Sequence, residues 1–322
     1  MDKVLAQLKD DLQRVEAQFK IDLTSDVVLI RKVGEYVLAS GGKRIRPILL
    51  LLCARLAGYR GDAHIGLASV VEFIHTATLL HDDVVDSAVL RRGNASANSV
   101  WGNEASVLVG DFLFAKSFSL MVRGGSLAVL QALSDATTQM AEGEVQQLIS
   151  TCDLDIDEAS YLNVIENKTA ILISAACRVG GILGNLEPQQ EEALAAYGMD
   201  LGIAFQLMDD ALDYVADQDE FGKAKGHDLA EGKMTLPLIH ALRQCTPAER
   251  QEVAVIVEAE DLDDVALTRV TALIERYQGI EYTRRRAADM VARAKSHLAA
   301  FASGQERDAL ETVADYVLSR RK

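Results

Sequence analysis

Apolar residues recur at i, i+3, i+4 and i+7 along almost the whole chain, and only four prolines in 322 residues interrupt them. That is about 1% proline against a usual ~5%. Proline removes a backbone donor and clashes with the preceding turn, so a chain this poor in it can carry long helices. No alternating apolar–polar strand and no Asn-Gly hairpin turn is found. The periodicity predicts helices over 2–18, 26–40, 47–57, 63–87, 101–122, 126–149, 157–180, 188–216, 235–244, 247–258, 263–277, 281–301 and 306–320. No linker is Ser/Pro-rich and no segment is of low complexity, so the expectation is all-α: one domain over residues 1–322, built as a large helical bundle.

Composition excludes some functions. Lys and Arg number 33 against 48 Asp and Glu, a net charge of −15, which makes a poor general binder of nucleic acid. No charge-free apolar run of about 18 residues is present, so no membrane span is expected. The start, MDKVLAQLKDDLQRVEAQFK, lacks the apolar core of a signal peptide, and a cytoplasmic protein is the expectation. Cys53, Cys152, Cys177 and Cys245 are scattered and read as free thiols.

The chemistry gathers in an internal echo. LLHDDVVD (79–86) and QLMDDALD (206–213) repeat a DDxxD pattern, each at the end of a long apolar helix. Residues three and four apart share a helix face, so Asp82, Asp83 and Asp86 crowd one turn, and Asp209, Asp210 and Asp213 crowd another. Crowded carboxylates repel and resist ionisation unless a cation joins them. Mg²⁺ suits such a site, because it binds through one or two carboxylates plus substrate phosphate oxygens. One copy alone reads equally well as a solvated helix end; the repeat weighs against that. Glu72-Phe-Ile-His75 is half of a di-iron motif, but no other histidine follows a glutamate at that spacing.

Cations cluster in the loops beside these motifs. GGKRIRP places Lys43, Arg44 and Arg46 before Pro47, which is expected at the first helical position, where free N–H groups help to bind phosphate. Arg91 and Arg92 follow the first motif; Lys168 lies in NKTA; Lys223, Lys225 and Lys233 follow the second motif.

Together GGKRIRP, EFIHTATLLHDDVVD, LRRG, GEVQQL, NKTA, FQLMDDALDY and GKAKGHDLAEGKMTLPLIHAL resemble the trans-isoprenyl diphosphate synthase family, in order and over nearly the whole chain, with its long-chain bacterial branch the nearest in character. The resemblance implies an isoprenoid-synthase bundle with a central apolar cavity, and a homodimer. It implies prenyl transfer, in which isopentenyl diphosphate attacks the cation left when an allylic diphosphate ionises. Three Mg²⁺ ions are implied, two held by Asp82 and Asp86 and the third by Asp209 with Asp210 and Asp213 supporting, and Asp83 is implied among the catalytic aspartates. Arg91, Lys168, Lys223 and Lys233 would hold the allylic diphosphate; Lys43, Arg46, His75 and Arg92 would hold isopentenyl diphosphate; Thr169 and Gln206 would line the reacting end. The basic tail SRRK would close over the second diphosphate.

The first side chains below Asp82 are Thr78 and Ala77, both small, where short-chain relatives carry bulky aromatics as a floor. Long products are therefore expected, with Leu120, Met121 and Leu133 as the deeper floor. The implied product is octaprenyl diphosphate, C40, delivered to membrane enzymes that build quinones, with farnesyl diphosphate as primer. C35 or C45 products, a class I terpene cyclase and a non-catalytic subunit are the alternatives.

Overall fold

The computed structural model describes residues 1–215, 226–259 and 263–320. Its helices are α1 (Asp2–Gln7), α2 (Lys9–Asp22), α3 (Val28–Ala39), α4 (Ile45–Leu56), α5 (Ala63–Val85), α6 (Ala97–Trp101), α7 (Asn103–Gly124), α8 (Leu127–Ile149) and α9 (Glu158–Ile165). A π-turn (Glu166–Ala170) leads into α10 (Ile171–Leu183) and α11 (Pro188–Asp213). Then follow α12 (His227–Ala230), α13 (Leu236–Leu242), α14 (Pro247–Val257), α15 (Asp264–Arg276), α16 (Gly279–His297) and α17 (Gln305–Ser319).

Local chemistry sets many ends. Thr246 and Glu249 form a reciprocal capping box on α14 with Pro247 in its first turn, and Asp157 and Asp263 accept backbone N–H groups at the starts of α9 and α15. Three expected helices are interrupted. The first divides at Leu8, the 101–122 segment at Gly102 (φ +86°), and the 157–180 segment at the π-turn.

One expectation is corrected. A two-residue antiparallel pair, β1 (Leu90–Arg91) with β2 (Asn94–Ala95), closes around Arg92 and Gly93. Both turn residues have positive φ (52° and 78°), as a tight hairpin turn requires. Arginine stands where Asn-Gly would have signalled the turn.

The chain divides into two compact units: Met1–Thr137 with Leu172–Gly198 and His297–Val313, and Thr138–Ile171 with Met199–Ser296 and Ala314–Lys322. In the first, α5 packs on α7, α2 and α4 around Phe19, Phe73, Ala77, Leu80, Val109 and Leu113. Phe19 and Phe73 stack at 4.3 Å. Burying side chains of this size contributes roughly 1.5–3 kcal/mol each. In the second unit, α13 packs on α15 and α9, and Arg293 makes two hydrogen bonds, of 2.8 and 2.5 Å, to buried Asp200.

Helices α5 and α7 are long and apolar enough to cross a membrane by length and composition alone, a test that core helices also pass; α5 is 72% buried within the fold over that stretch, as a core helix is. All four cysteines are free thiols, Cys53 and Cys177 fully buried.

Candidate active site

In the first unit the acidic motif occupies the last turn of α5, with Asp86 as its C-cap. Burial sorts the three carboxylates. Asp83 is 2% exposed, whereas Asp82 and Asp86 are half-buried. The hairpin folds Arg91 back so that its Nε donates to Asp83 at 2.5 Å, and the Asp83 carbonyl accepts from Asn98 at 3.1 Å. The middle aspartate thus ties α5 to the hairpin, and its two neighbours carry the exposed oxygens.

A cationic cradle lies beside it. Arg92 donates to the Gly41 carbonyl and packs against Gly42, where any Cβ would meet its Nη1 at 2.8 Å. Arg44 takes a left-handed conformation (φ +52°) as the N-cap of α4. Its guanidinium donates to Glu72 at 2.6 Å and to the Leu38 carbonyl at 3.1 Å. Glu72 is 5% exposed, so the ion pair anchors the glycine loop to α5. The helix begins at Ile45, so Pro47 is its third residue, a place where the missing N–H is still no loss. Burial, then Arg46, Arg92, Arg91 and Arg44, hold His75 well below the ordinary histidine value. The charges of four arginines bear on this neutral imidazole and favour an anion beside it.

The second unit carries the other motif in the last turns of α11. Asp210 is 2% exposed and Asp213 8%, while Asp209 is half-buried. Tyr161 donates to one Asp210 oxygen and Gln206 to the other at 2.7 Å. Burial first, then the Asp228 charge, push the Asp210 carboxyl well above its usual range. Asp213 accepts from the Asp228 amide at 3.2 Å. Thr169 donates to Gln206 Oε1 at 3.2 Å, and Lys168 pairs with Glu144 at 2.6 Å. Both Lys168 and Thr169 sit in the π-turn, which two glycines clamp. A Cβ on Gly143 would stand 2.6 Å from the Lys168 nitrogen, and one on Gly202 2.5 Å from the Ala170 Cα. One-turn π insertions often mark functional sites, because they re-aim the side chains they carry.

Among the described residues no three His, Cys, Asp or Glu side chains converge on a single metal position. Mg²⁺ does not require such a cage, since water and phosphate oxygens complete its shell. The half-buried carboxylates of Asp82, Asp86 and Asp209 offer the hard oxygens it prefers. Asp209 already faces a cation, because Arg320 Nη2 lies 2.7 Å from its Oδ1. The residues fit a divalent ion that diphosphate helps to hold.

The family model described as Polyprenyl synthetase matches residues 27–274. The chain belongs to the polyprenyl synthetase family. It is 44% identical over 320 residues to octaprenyl diphosphate synthase of Escherichia coli (strain K12), covering 99% of each chain. A polyprenyl synthase of Caulobacter crescentus CB15, solved with calcium and isoprenyl diphosphate, superposes with a TM-score of 0.96 at 42% identity, over 100% of this chain and 98% of that one. A decaprenyl diphosphate synthase of Rhodobacter capsulatus superposes at 0.95 with 43% identity, over 100% and 99%. This polyprenyl synthetase is therefore a prenyltransferase with the all-α isoprenoid-synthase fold of its relatives.

The remaining candidates of the polyprenyl synthetase fall as follows. Lys43, Arg46, Thr78 and Leu120 are half-buried, and Ala77, Met121 and Leu133 are buried in the first unit. Lys233 pairs with Glu231 at 2.7 Å. Although burial opposes it, hydrogen bonds from His227 and Lys233 hold Glu231 down at about 2. Lys223, Lys225 and the tail's Arg321 and Lys322 lie outside the described residues. Sequence reasoning missed Arg44 as an anchor, and also Glu72, Glu144, Tyr161 and Asp228. Each reads alone as an ordinary helix or loop residue, and only its distant partner reveals it.

Proposed function

We propose that this polyprenyl synthetase makes a long all-trans chain: it adds isopentenyl diphosphate head to tail to farnesyl diphosphate and releases octaprenyl diphosphate, C40, for quinone side chains. The observation that carries the length is the pair of small residues one turn below Asp82. Ala77 is fully buried and Thr78 half-buried on the wall along which a product would grow. Identity alone does not choose the length, because an octaprenyl and a decaprenyl synthase stand at 44% and 43%.

In this reading Arg91, Lys168, Lys223 and Lys233 bind the allylic diphosphate, and Lys43, Arg46, Arg92 and neutral His75 bind isopentenyl diphosphate. Asp82, Asp86 and Asp209 would hold three Mg²⁺ ions, which when bound would supply positive charge at the leaving diphosphate. Lys and Arg fixed beforehand stabilise the same charge without reorganising. Thr169 and Gln206 present oxygens to the allylic cation. The apolar face of α5 keeps water from it, as a reactive cation requires. Leu120, Met121 and Leu133 form the floor. A homodimer is part of the proposal, supported by the exposed apolar side chains of α7, Leu108 at 66% and Val122 at 63%.

The test supplies farnesyl diphosphate, labelled isopentenyl diphosphate and Mg²⁺, followed by chromatography of the dephosphorylated products. A Mg²⁺-dependent ladder ending near C40 is expected. A ladder ending at C20 refutes the length, and unextended C15 primer or a cyclic hydrocarbon from the allylic substrate alone refutes the reaction.

A further inference from the structure

A continuous line of hydrogen bonds runs from the interior of the second unit to the π-turn. It begins at Tyr161 on α9, a phenol 4% exposed, which also takes a backbone hydrogen bond from Leu236 at the start of α13. The Tyr161 hydroxyl donates to Asp210 Oδ2. Gln206 Nε2 donates to Asp210 Oδ1 at 2.7 Å, and Thr169 Oγ1 donates to Gln206 Oε1 at 3.2 Å.

The order of donors matters more than any one bond. An amide side chain has a donor end and an acceptor end, and its neighbours decide which way it faces. Asp210 takes the nitrogen of Gln206, so the carbonyl oxygen must turn to Thr169. Thr169 has one hydroxyl proton, and it is spent on that oxygen. What the hydroxyl offers in every other direction is lone pairs. An electron-rich oxygen held in this way suits a neighbouring positive charge, and the reverse amide orientation would aim a proton at it.

We propose that Tyr161 is a positioning residue for prenyl transfer. Acting through Asp210 and Gln206, it fixes the amide orientation that keeps Thr169 an acceptor toward the allylic cation. The inference rests on the reading of Thr169 and Gln206 at the reacting end. Tyr161 lies at the far end of the line, so its effect is on the chemical step and not on substrate affinity.

Tyr161→Phe keeps the ring and its packing and removes the hydroxyl, both as donor to Asp210 and as acceptor from Leu236. Its kcat is expected to fall on the order of 10-fold, the usual scale for losing a partner that orients a reacting group, with KM for both substrates within about twofold. A double-mutant cycle supplies the readout that mere destabilisation would not move. Gln206→Leu removes the amide, so adding Tyr161→Phe to it should cost no further kcat, while the melting temperature drops by the same amount in both backgrounds. Losses in kcat that multiply, or a Tyr161→Phe enzyme with unchanged kcat and a lower melting temperature, overturn the proposal. If Thr169→Val and Gln206→Leu also leave kcat unchanged, the placement of the reacting end falls too, an outcome distinct from failure of Tyr161 alone.

Discussion

Arg320 sets its guanidinium 2.7 Å from the carboxylate of Asp209 and lies over the Phe205 ring at 4.1 Å from its centroid. The arginine side chain is only 5% exposed. A positive group therefore already stands against one oxygen of the carboxylate proposed to hold a divalent ion.

Arg320→Met should let a divalent ion reach Asp209 without displacing a guanidinium. Mn²⁺ titrated into the substrate-free chain and followed by electron paramagnetic resonance should bind several-fold more tightly than in wild type. Equal or weaker binding would show that Arg320 and the ion do not compete.

Glu72→Leu should leave Arg44 without its carboxylate and release the loop that carries Lys43 and Arg46. Breaking a mostly buried ion pair by removing one partner costs about 3 kcal/mol, which urea unfolding would read. KM for isopentenyl diphosphate should rise about tenfold, the equivalent of ~1.4 kcal/mol, while KM for the allylic substrate stays put. Glu72→Gln, which can still accept from Arg44, should lose less on both counts.

Gly143→Ala tests the clamp on the π-turn. The added methyl would stand 2.6 Å from the Lys168 nitrogen, a backbone atom with little freedom to retreat. Overpacking of this kind costs about 1–3 kcal/mol. A lower melting temperature and a lower kcat should appear together, because Lys168 and Thr169 move with the turn.

His75 gives the pH dependence a sign. Burial and the surrounding arginines hold its folded pKa below the ordinary 6.5. The unfolded chain then binds more protons in the window from 6.5 down to the folded value, so stability should fall as pH falls through that window. In His75→Gln this part of the slope should vanish, as denaturant midpoints measured at several pH values would reveal.

Ala77→Phe should shorten the product ladder if chains grow past α5. Ala77 is fully buried beside Phe19 and Phe73, so the variant should also melt lower. An unchanged ladder in a folded variant would rule out that path.

Some of this was legible in the sequence. Helical periodicity placed most helices to within a few residues, because amphipathic faces repeat every turn. The DDxxD spacing placed both acidic motifs at helix ends. The different work of the middle aspartates was not legible: Asp83 and Asp210 look like their neighbours until Arg91 and Tyr161 fold onto them. Tyr161 is 49 residues from Asp210, and a tyrosine in an apolar helix reads as core. The hairpin was hidden because arginine took a left-handed position that Asn or Gly usually marks. The extra residue of the π-turn shifts the apolar phase by about a quarter-turn, but the helical stretch before it, Glu158–Ile165, is too short to make that shift stand out.

That extra residue separates durability from turnover. Deleting one position within 166–170 would let the ladder close as ordinary α-helix, with shorter hydrogen bonds and less crowding against Gly143 and Gly202. The trimmed enzyme should withstand heat better than its parent and elongate prenyl chains far more slowly, its lysine and threonine facing a quarter-turn astray.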